Sequence, residues 1–495
     1  MYYSRSKFLV LLILASATAI PEARAFDART FFQHLFHPHQ SIKATSDNAI
    51  RVEATIPATD NLCAPIGPQR LAVILANYPG EPLDSAVPNA HYIETLFTGA
   101  DRAISALDFT DPNVPGFLQQ ALAGESLGFS IADFYKTVSG GKAWFESVKV
   151  VGPYQTAPFL SNQDTIGNYY RSLDTWENHL LTLAASDLDL MNIDRVVFIT
   201  PEAIDSANKP VAYGAGMAAQ GQCDLEYNGS QGHRSFAHSW IWANSAYQGI
   251  DVARIFGTSV PNETPDEIKQ QINYKLKTDM SVIIHELGHT FGLGHANAVQ
   301  RKANDEILPA SNQPLPIQNY GDPLSVMSNS NLHWFNVPHL RSLGWLQPSQ
   351  VPIITSSSVY RIYPIEKAAA DPSLLRGLQI PRALQTSTEK TIAYLWVEYR
   401  QGLAPYDVDF FPSQAHDLNG ALVHYTNPAQ MSASGDQTYG SDNTTILLNF
   451  VPSGPVSPYQ KDFTLKGTWK DPHSMVKLQV IQVTPDYLDI QVSFN

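Results

Sequence analysis

Short apolar runs alternate with helical periodicity along the first two thirds of the chain. Residues 71–75 form an unbroken apolar run before the turn sequence Tyr78-Pro79-Gly80, and Arg195–Thr200 is a second run of this kind. Both runs have the length of a buried β-strand. Between them, Ile131–Val138 has helical spacing and stops at Gly140-Gly141. Strands that alternate with helices predict a mixed α/β unit whose sheet is partly parallel.

One predicted helix is long and has clear start and stop signals. Thr264 is a suitable N-cap, Pro265 fits the first helical position, and Glu267 completes a capping box. The helical pattern continues to Phe291 and is followed by Gly292, the residue type that most readily ends a helix in the left-handed conformation. We therefore expect a helix that ends at about Phe291 and a structural role for Gly292.

The pattern changes after Trp345. Residues 348–358 are rich in proline and serine, and beyond them apolar and polar residues alternate in short segments. The alternating segments are 392–399, 421–425, 445–450, 476–480 and 488–494. Period-two alternation that is broken by glycine and proline turns predicts an antiparallel β-sandwich. We therefore predict an α+β chain with one domain over residues 66–347 and a β-sandwich domain over residues 348–495.

The N-terminal segment has the composition of a secretory signal peptide. Arg5 and Lys7 precede a nearly unbroken apolar run over residues 8–20, and small residues stand at the positions required for cleavage after Ala25. A membrane anchor is the alternative, but the run is too short to span a bilayer comfortably. We therefore predict a secreted or periplasmic protein without stable membrane insertion once residues 1–25 are removed. Residues 26–65 would form an N-terminal segment or a short propeptide.

The net charge argues against one class of partner. The chain of 495 residues carries 32 basic and 46 acidic side chains, which gives a formal net charge of −14 at pH 7. Nucleic acid binding requires a basic surface that can neutralise phosphates. A nucleic acid is therefore not expected as a partner of this chain.

The two cysteines, Cys63 and Cys223, allow three interpretations. In an oxidising compartment, a disulfide between them is the default expectation. Cys63 also lies just before the first strong strand, where a propeptide could end, and a thiolate at that point could cap a catalytic metal. Two free buried thiols are the third interpretation. The sequence leaves all three open.

The strongest candidate site is the sequence His-Glu-Leu-Gly-His from His285 to His289. Histidines at positions i and i+4 project from one helix face with about 5–6 Å between their Cβ atoms, so both imidazoles can reach one Zn²⁺ at about 2.0–2.1 Å. Glu286 follows the first ligand and can act on a water at the metal. Gly292 lets the chain leave the helix and turn back, so that His295 can become the third ligand. Three neutral histidines leave one coordination position open, as a catalytic zinc site requires.

A second element follows the zinc motif. The segment 319–329 is rich in turn residues and contains Met327. It resembles the Met-turn of the metzincin metallopeptidases, in which a methionine lies beneath the zinc-binding imidazoles without coordinating the metal. Some metzincin families place a zinc-approaching tyrosine after this turn, whereas this chain has Asn329. The resemblance therefore implies a structural role for Met327 but no tyrosinate ligand.

More specifically, the chain resembles the gametolysin-like secreted metallopeptidases. The resemblance is carried by the segment from His285 to Asn297, by Tyr320-Gly321-Asp322-Pro323 before the Met-turn, and by Leu343-Gly344-Trp345 further on. It implies a metzincin-type catalytic domain over residues 66–347, with a mixed twisted sheet and a long zinc-binding helix. It also implies a zinc metalloendopeptidase whose substrates are extracellular proteins or glycoproteins.

The mechanism implied by this resemblance uses one catalytic Zn²⁺. A bound Zn²⁺ would acidify a water, and Glu286 would take a proton from that water as it attacks the scissile carbonyl. The alternatives are a catalytically silent binding or adhesion protein that retains the fold, and a zinc hydrolase that does not act on peptides. A silent site would usually have lost Glu286 or a ligand. No Asp-x-Asp-x-Asp-Gly loop occurs, so the sequence leaves calcium open.

Overall fold

The computed structural model describes much of the chain from residue 63 onwards. The described residues are 63–77, 90–99, 128–156, 166–200, 216–218, 221, 223–242, 265–300, 305–328, 332–367, 371–385, 390–403, 406, 416–427, 444–451 and 462–494. Residues Asn48–Asn495 belong to one compact unit. The predicted signal peptide, most of the segment 26–65, the N-cap Thr264 and Asn329 lie outside the described residues.

Six strands form a mixed sheet before the long helix. They are β1 (Gly67–Asn77), β2 (Ala143–Gln155), β3 (Arg195–Thr200), β4 (Gly216–Ala218), β5 (Leu225–Gly229) and β6 (Gly232–Trp242). The order across the sheet is β2-β1-β3-β6-β4, and β5 also pairs with β6. The pairs β1–β2, β1–β3 and β3–β6 are parallel, whereas β4 and β5 run antiparallel to β6. The two predicted buried strands are therefore present and adjacent.

Helices pack on this sheet through their apolar sides. The described helices are α1 (Ala90–Thr98), α2 (Ile131–Val138), α3 (Ile166–Ala184), α4 (Pro265–Thr290) and α5 (Val337–Ser342), with 3-10 turns at Leu190–Asn192 and Ile365–Lys367. Val73 of β1, Phe134 of α2 and Ile283 of α4 belong to one hydrophobic core. This packing holds α4 against β4 and β6. No helix in the described residues is long and apolar enough to cross a membrane.

Most of the described chain after α4 is built from strands. They are β7 (Ala296–Val299), β8 (Ile317–Gln318), β9 (Ser358–Ile362), β10 (Gly377–Gln385), β11 (Lys390–Glu398), β12 (Leu422–Thr426), β13 (Thr445–Leu447), β14 (Thr468–Lys470), β15 (Val476–Val483) and β16 (Leu488–Phe494). One sheet has the order β10-β11-β12-β13-β7-β8, and the other has the order β14-β15-β16-β9. The second sheet is antiparallel throughout, whereas the first contains one parallel pair, β13–β7. Each segment of predicted period-two alternation overlaps one of these strands, although the segment 445–450 is a strand only over Thr445–Leu447.

The parallel pair crosses the predicted domain boundary near residue 347. Its register places Thr445 of β13 opposite Ala296 of β7, and Thr445 N donates a hydrogen bond to His295 O at 3.2 Å. The core shared by the two C-terminal sheets also includes Leu308 and Leu315 from before the boundary. The division into two domains stays a prediction. The C-terminal strands nevertheless contact the residue that was predicted as the third metal ligand.

Candidate metal centre

His285 and His289 lie in the last turns of α4 on the same side of the helix. Their ring centroids are 4.8 Å apart, and their Nε2 atoms are 3.1 Å apart. Both side chains are buried. Residues at positions i and i+4 face the same direction on a helix, so the backbone alone accounts for this pairing.

The chain leaves α4 through Gly292. Its φ of 102° lies in the left-handed region that favours glycine. Gly292 N donates to His289 O at 2.7 Å, and Leu293 N donates to Gly288 O at 3.1 Å. Two main-chain carbonyl groups in the last turn of the helix therefore accept hydrogen bonds. The turn returns His295 towards the helix, with its Nε2 3.1 Å from His289 Nε2. The three histidines predicted from the sequence therefore come together.

The outer ring nitrogens of two histidines are held by main-chain carbonyls. His285 Nδ1 lies 2.9 Å from Val326 O, and His289 Nδ1 lies 2.7 Å from Leu293 O. Because a carbonyl only accepts, each Nδ1 carries the proton and each Nε2 presents a lone pair. Burial lowers the pKa of His285 to about 4 and that of His289 to about 3, and it lowers the pKa of His295 well below its usual range. All three imidazoles are therefore neutral at pH 7.

Lone pairs that converge on one point repel each other unless a cation lies between them. The nitrogen ligands of the three histidines lie within 4.8 Å of one another. The two Nε2–Nε2 distances of 3.1 Å are near the roughly 3.3 Å expected for a tetrahedral ion with bonds of about 2.0–2.1 Å. Carbonyl partners on the outer nitrogens are also typical of metal-binding histidines. His285, His289 and His295 therefore form a group that can hold a metal ion.

Glu286 is buried beside this group. Its Oε2 has no hydrogen-bond partner among the described residues. Burial raises the pKa of Glu286 to about 8, because the charged carboxylate is poorly solvated there. A cation at the histidines would favour the charged form and bring this pKa down. Gly216 of β4 touches the same carboxyl group, and a Cβ at that glycine would lie 2.7 Å from Glu286 Oε1.

Met327 is fully buried against α4. A Cβ on Gly288 would collide with the Met327 sulfur. Gly288, between the two helical histidines, is therefore needed for this close approach. Met327 O accepts a hydrogen bond from Ala296 N at 2.8 Å, which fastens the turn to the residue after His295. The sequence did not reveal the role of Gly288, because it depends on a methionine from a distant segment.

Tyr320 also lies against the histidine group, which the sequence analysis missed. Its ring centroid is 4.2 Å from that of His295 and 6.0 Å from that of His285. The residue is nevertheless 40% exposed. Burial of the hydroxyl and the negative charge of Glu286 raise the pKa of Tyr320 above its usual range, so the phenol keeps its proton at neutral pH. A tyrosine near the metal was considered only at the position of Asn329.

A buried polar network supports the Met-turn from the C-terminal strands. Asp322 Oδ2 lies 3.1 Å from His424 Nε2 of β12, and His424 Nδ1 lies 3.8 Å from Glu398 Oε2. Arg400 Nε donates to Glu398 Oε1 at 2.7 Å, and Arg400 also donates to Leu324 O. Burial alone would raise the pKa of Asp322, but the hydrogen bond with His424 and the charge of Arg400 lower it overall. The C-terminal strands therefore help to hold the segment around Asp322 and Leu324, which precedes Met327.

Cys63 and Cys223 form a disulfide, with their Cα atoms 5.8 Å apart. Of the three interpretations open to the sequence, the structure contains the first, and the Cys63 sulfur is bonded to Cys223 rather than directed at the histidines. Arg195 Nη2 donates to Cys63 O at 3.2 Å. Gly221, two residues before Cys223, donates its N–H to His289 O at 2.9 Å. The disulfide therefore ties Cys63 to the part of the chain near Gly221, which contacts the last turn of α4.

The chain matches no known family model, and no curated protein matches it. The geometry of the histidine group is therefore the basis for assigning a function.

Proposed function

We propose that this protein is a secreted zinc-dependent endopeptidase of the metzincin type, which hydrolyses peptide bonds of extracellular proteins or glycoproteins. The observation that carries the proposal is the convergence of three neutral imidazoles next to the buried carboxyl group of Glu286, whose Oε2 has no hydrogen-bond partner among the described residues. A metal site with an adjacent carboxylate is the arrangement that activates water for hydrolysis. The sequence resemblance to gametolysin-like metallopeptidases supports the same assignment.

Zinc is the metal that this donor set favours. Imidazole nitrogens suit Zn²⁺ among several transition metals. Three protein ligands with a fourth position left open are characteristic of catalytic zinc sites, and Zn²⁺ has no redox chemistry that would compete with hydrolysis. His285, His289 and His295 would hold the ion through their Nε2 atoms.

Each residue around the proposed zinc site would have its own role in hydrolysis. A bound Zn²⁺ would acidify a water and polarise the scissile carbonyl group. Glu286 would take the proton of that water, because its Oε2 has no other partner among the described residues, and would pass the proton to the leaving amine. The carbonyls of Val326 and Leu293 would keep the Nδ1 protons of His285 and His289 in place, so that their lone pairs stay directed at the ion.

A peptide substrate is favoured by the position of β4. This strand ends the sheet order, so its outer edge carries no other strand of the described chain. An extended peptide can add to such an edge through main-chain hydrogen bonds. Because Gly216 of β4 touches the Glu286 side chain, a peptide bound along β4 would pass directly beside the proposed base.

Export is supported by two independent features. Residues 1–25 have the pattern of a signal peptide. The disulfide between Cys63 and Cys223 is of the kind that persists in oxidising compartments outside the cytosol.

Removal and return of the metal test the proposal. The secreted protein should cleave denatured casein, and chelation with 1,10-phenanthroline should abolish the cleavage, because the site would lose the ion that acidifies water. One equivalent of Zn²⁺ should restore it, whereas a serine-protease inhibitor should have no effect. New peptide termini, identified by mass spectrometry, are the measurement. A zinc-loaded protein that produced no new termini from casein, gelatin or a peptide library would contradict the proposal and favour a silent binding protein.

Replacement of Gly216 by alanine should disable Glu286 without touching a metal ligand. The new Cβ would lie 2.6–2.8 Å from three atoms of the Glu286 side chain, which would have to move. A displacement of about 1 Å costs on the order of 10²-fold in rate, so kcat/KM should fall by about this factor while the zinc content is unchanged. Gly467→Ala is the matched control, because a Cβ at Gly467 meets nothing within 4 Å. Equal activity of G216A and the wild type would contradict this account of Glu286.

A further inference from the structure

Tyr320 has a backbone conformation that is unfavourable for its residue type. Its φ is 54°, and it is the only residue other than glycine with a positive φ in the described part of the chain. For a bulky side chain this conformation costs about 1–3 kcal/mol, and such strain persists only where the surroundings enforce it. Strained residues of this kind concentrate at functional sites.

The groups that enforce the conformation flank the proposed metal site. Tyr320 N donates to Asn297 Oδ1 at 2.9 Å, and Asn297 lies two residues after His295. Ser328 Oγ donates to Tyr320 O at 2.5 Å, and Ser328 follows Met327. The backbone of Tyr320 is therefore held from both sides by the segments that carry the third histidine and the Met-turn.

The Tyr320 ring combines contact with the histidines and contact with solvent. Its centroid lies 4.2 Å from that of His295 at an interplanar angle of 43°, and 6.0 Å from that of His285 at 30°. The residue is also 40% exposed, so the side of the histidine group that Tyr320 covers lies next to solvent. None of the other described tyrosines has a ring contact with His285, His289 or His295.

Packing alone is a weak reason to keep a tyrosine here. Asparagine or glycine would adopt the left-handed conformation at lower cost. If a ring were needed only to cover His295, phenylalanine would serve as well. The feature that distinguishes tyrosine is its hydroxyl group, which donates a hydrogen bond without carrying a charge.

We propose that Tyr320 is a catalytic residue of this site, whose phenol donates a hydrogen bond to the scissile carbonyl oxygen as negative charge develops on it. This inference rests on the proposed endopeptidase function. The phenol keeps its proton throughout, and no bond to Tyr320 forms or breaks. Preorganised donors that are directed at a developing oxyanion stabilise the transition state more than the bound substrate. The strained backbone would then serve to hold the donor in place before the substrate arrives.

Tyr320→Phe tests the role of the hydroxyl, because it keeps the ring. Loss of one oxyanion donor reduces kcat by about 10²–10³-fold, and we expect this loss with little change in KM. Zinc affinity, measured by titration against a competing chelator, should be unchanged. A phosphinic peptide, whose oxygens imitate the oxyanion, should bind the zinc-loaded variant about 10²-fold more weakly by calorimetry, since it loses the same donor.

Two further variants make the comparison specific. Tyr320→Asn tolerates the left-handed conformation, so it should fold and show the same loss of kcat as the phenylalanine variant. Tyr360→Phe is the matched control: its hydroxyl donates to Ser356 O at 2.9 Å in the C-terminal region. It should retain wild-type kcat and wild-type affinity for the phosphinic peptide.

Each other outcome overturns the inference in a distinguishable way. If Tyr320→Phe keeps wild-type kcat and phosphinate affinity while Glu286→Gln is inactive, the peptidase stands and Tyr320 only packs on His295. If Tyr320→Phe weakens zinc binding, the phenol is a metal ligand rather than a donor to the substrate. If the zinc-loaded wild type cleaves no peptide, both the proposed function and the role of Tyr320 fail.

Discussion

Replacement of Glu286 by glutamine is expected to reduce peptide hydrolysis by about 10²–10⁴-fold, because an amide cannot take the proton of the attacking water. Glutamine has nearly the same size and removes no metal ligand, so the variant should bind zinc with the wild-type stoichiometry. The interaction is made chiefly in the transition state, so the loss should appear in kcat rather than in KM. Cleavage of a fluorogenic peptide and zinc analysis of the same preparation measure both quantities.

Glu306→Gln is the matched control for this experiment. Glu306 lies on the surface and pairs with His473 at 2.8 Å, so its loss should not affect hydrolysis. Turnover of the Glu286 variant within a few-fold of the wild type would mean that another group activates the water, since a general base normally contributes about 10²–10⁴-fold.

Replacement of His295 by alanine should remove the metal and, with it, activity. Two helical histidines occur in several kinds of zinc site, whereas the third ligand at His295 depends on the turn at Gly292. The zinc affinity should fall by more than the roughly 10–100-fold that loss of an outer-shell partner costs. At a zinc concentration 100 times the dissociation constant, the wild type would gain about 2.7 kcal/mol of stability from the metal. The variant should lack this gain.

Titration against a competing chelator and melting curves with and without zinc measure these effects. The metal-free variant should melt near the temperature of the metal-free wild type, which would separate ligand loss from misfolding. His473→Ala serves as the control, since His473 contacts the exposed Glu306. Stoichiometric zinc in H295A at micromolar protein would refute the metzincin assignment.

Local spacing accounts for much of the histidine group. His285 and His289 share one helix face because of the helical repeat, whatever the rest of the chain does. Gly292 ends α4 with a φ of 102°, because glycine adopts the left-handed conformation at little cost. The apolar runs at residues 71–75 and Arg195–Thr200 predicted buried strands, and both are buried in the structure. Each of these features depends on residues close together in the chain.

The residues that surround the three histidines are placed there by contacts between segments that are distant in the sequence. Gly216 reaches Glu286 because β4 pairs with β6 at the edge of the sheet, next to α4. His424 reaches Asp322 because β12 brings it next to the segment that contains Met327. Tyr320 looked like part of a turn, and its contact with His295 appears only once the turn is folded. No local periodicity encodes any of these three contacts.

The sequence by itself determined which three histidines form the group that can hold a metal ion, and where the first buried strands, the end of α4 and several C-terminal strands lie, because helical and strand repeats act over a few neighbouring residues. Only the tertiary structure decided how the C-terminal strands meet the site, through the parallel pairing of β13 with β7 directly after His295. Alternation of apolar and polar residues identifies the two faces of a strand. It does not select the neighbour of that strand, because main-chain hydrogen bonds are alike at every sheet edge and partner choice depends on the packing of the whole core.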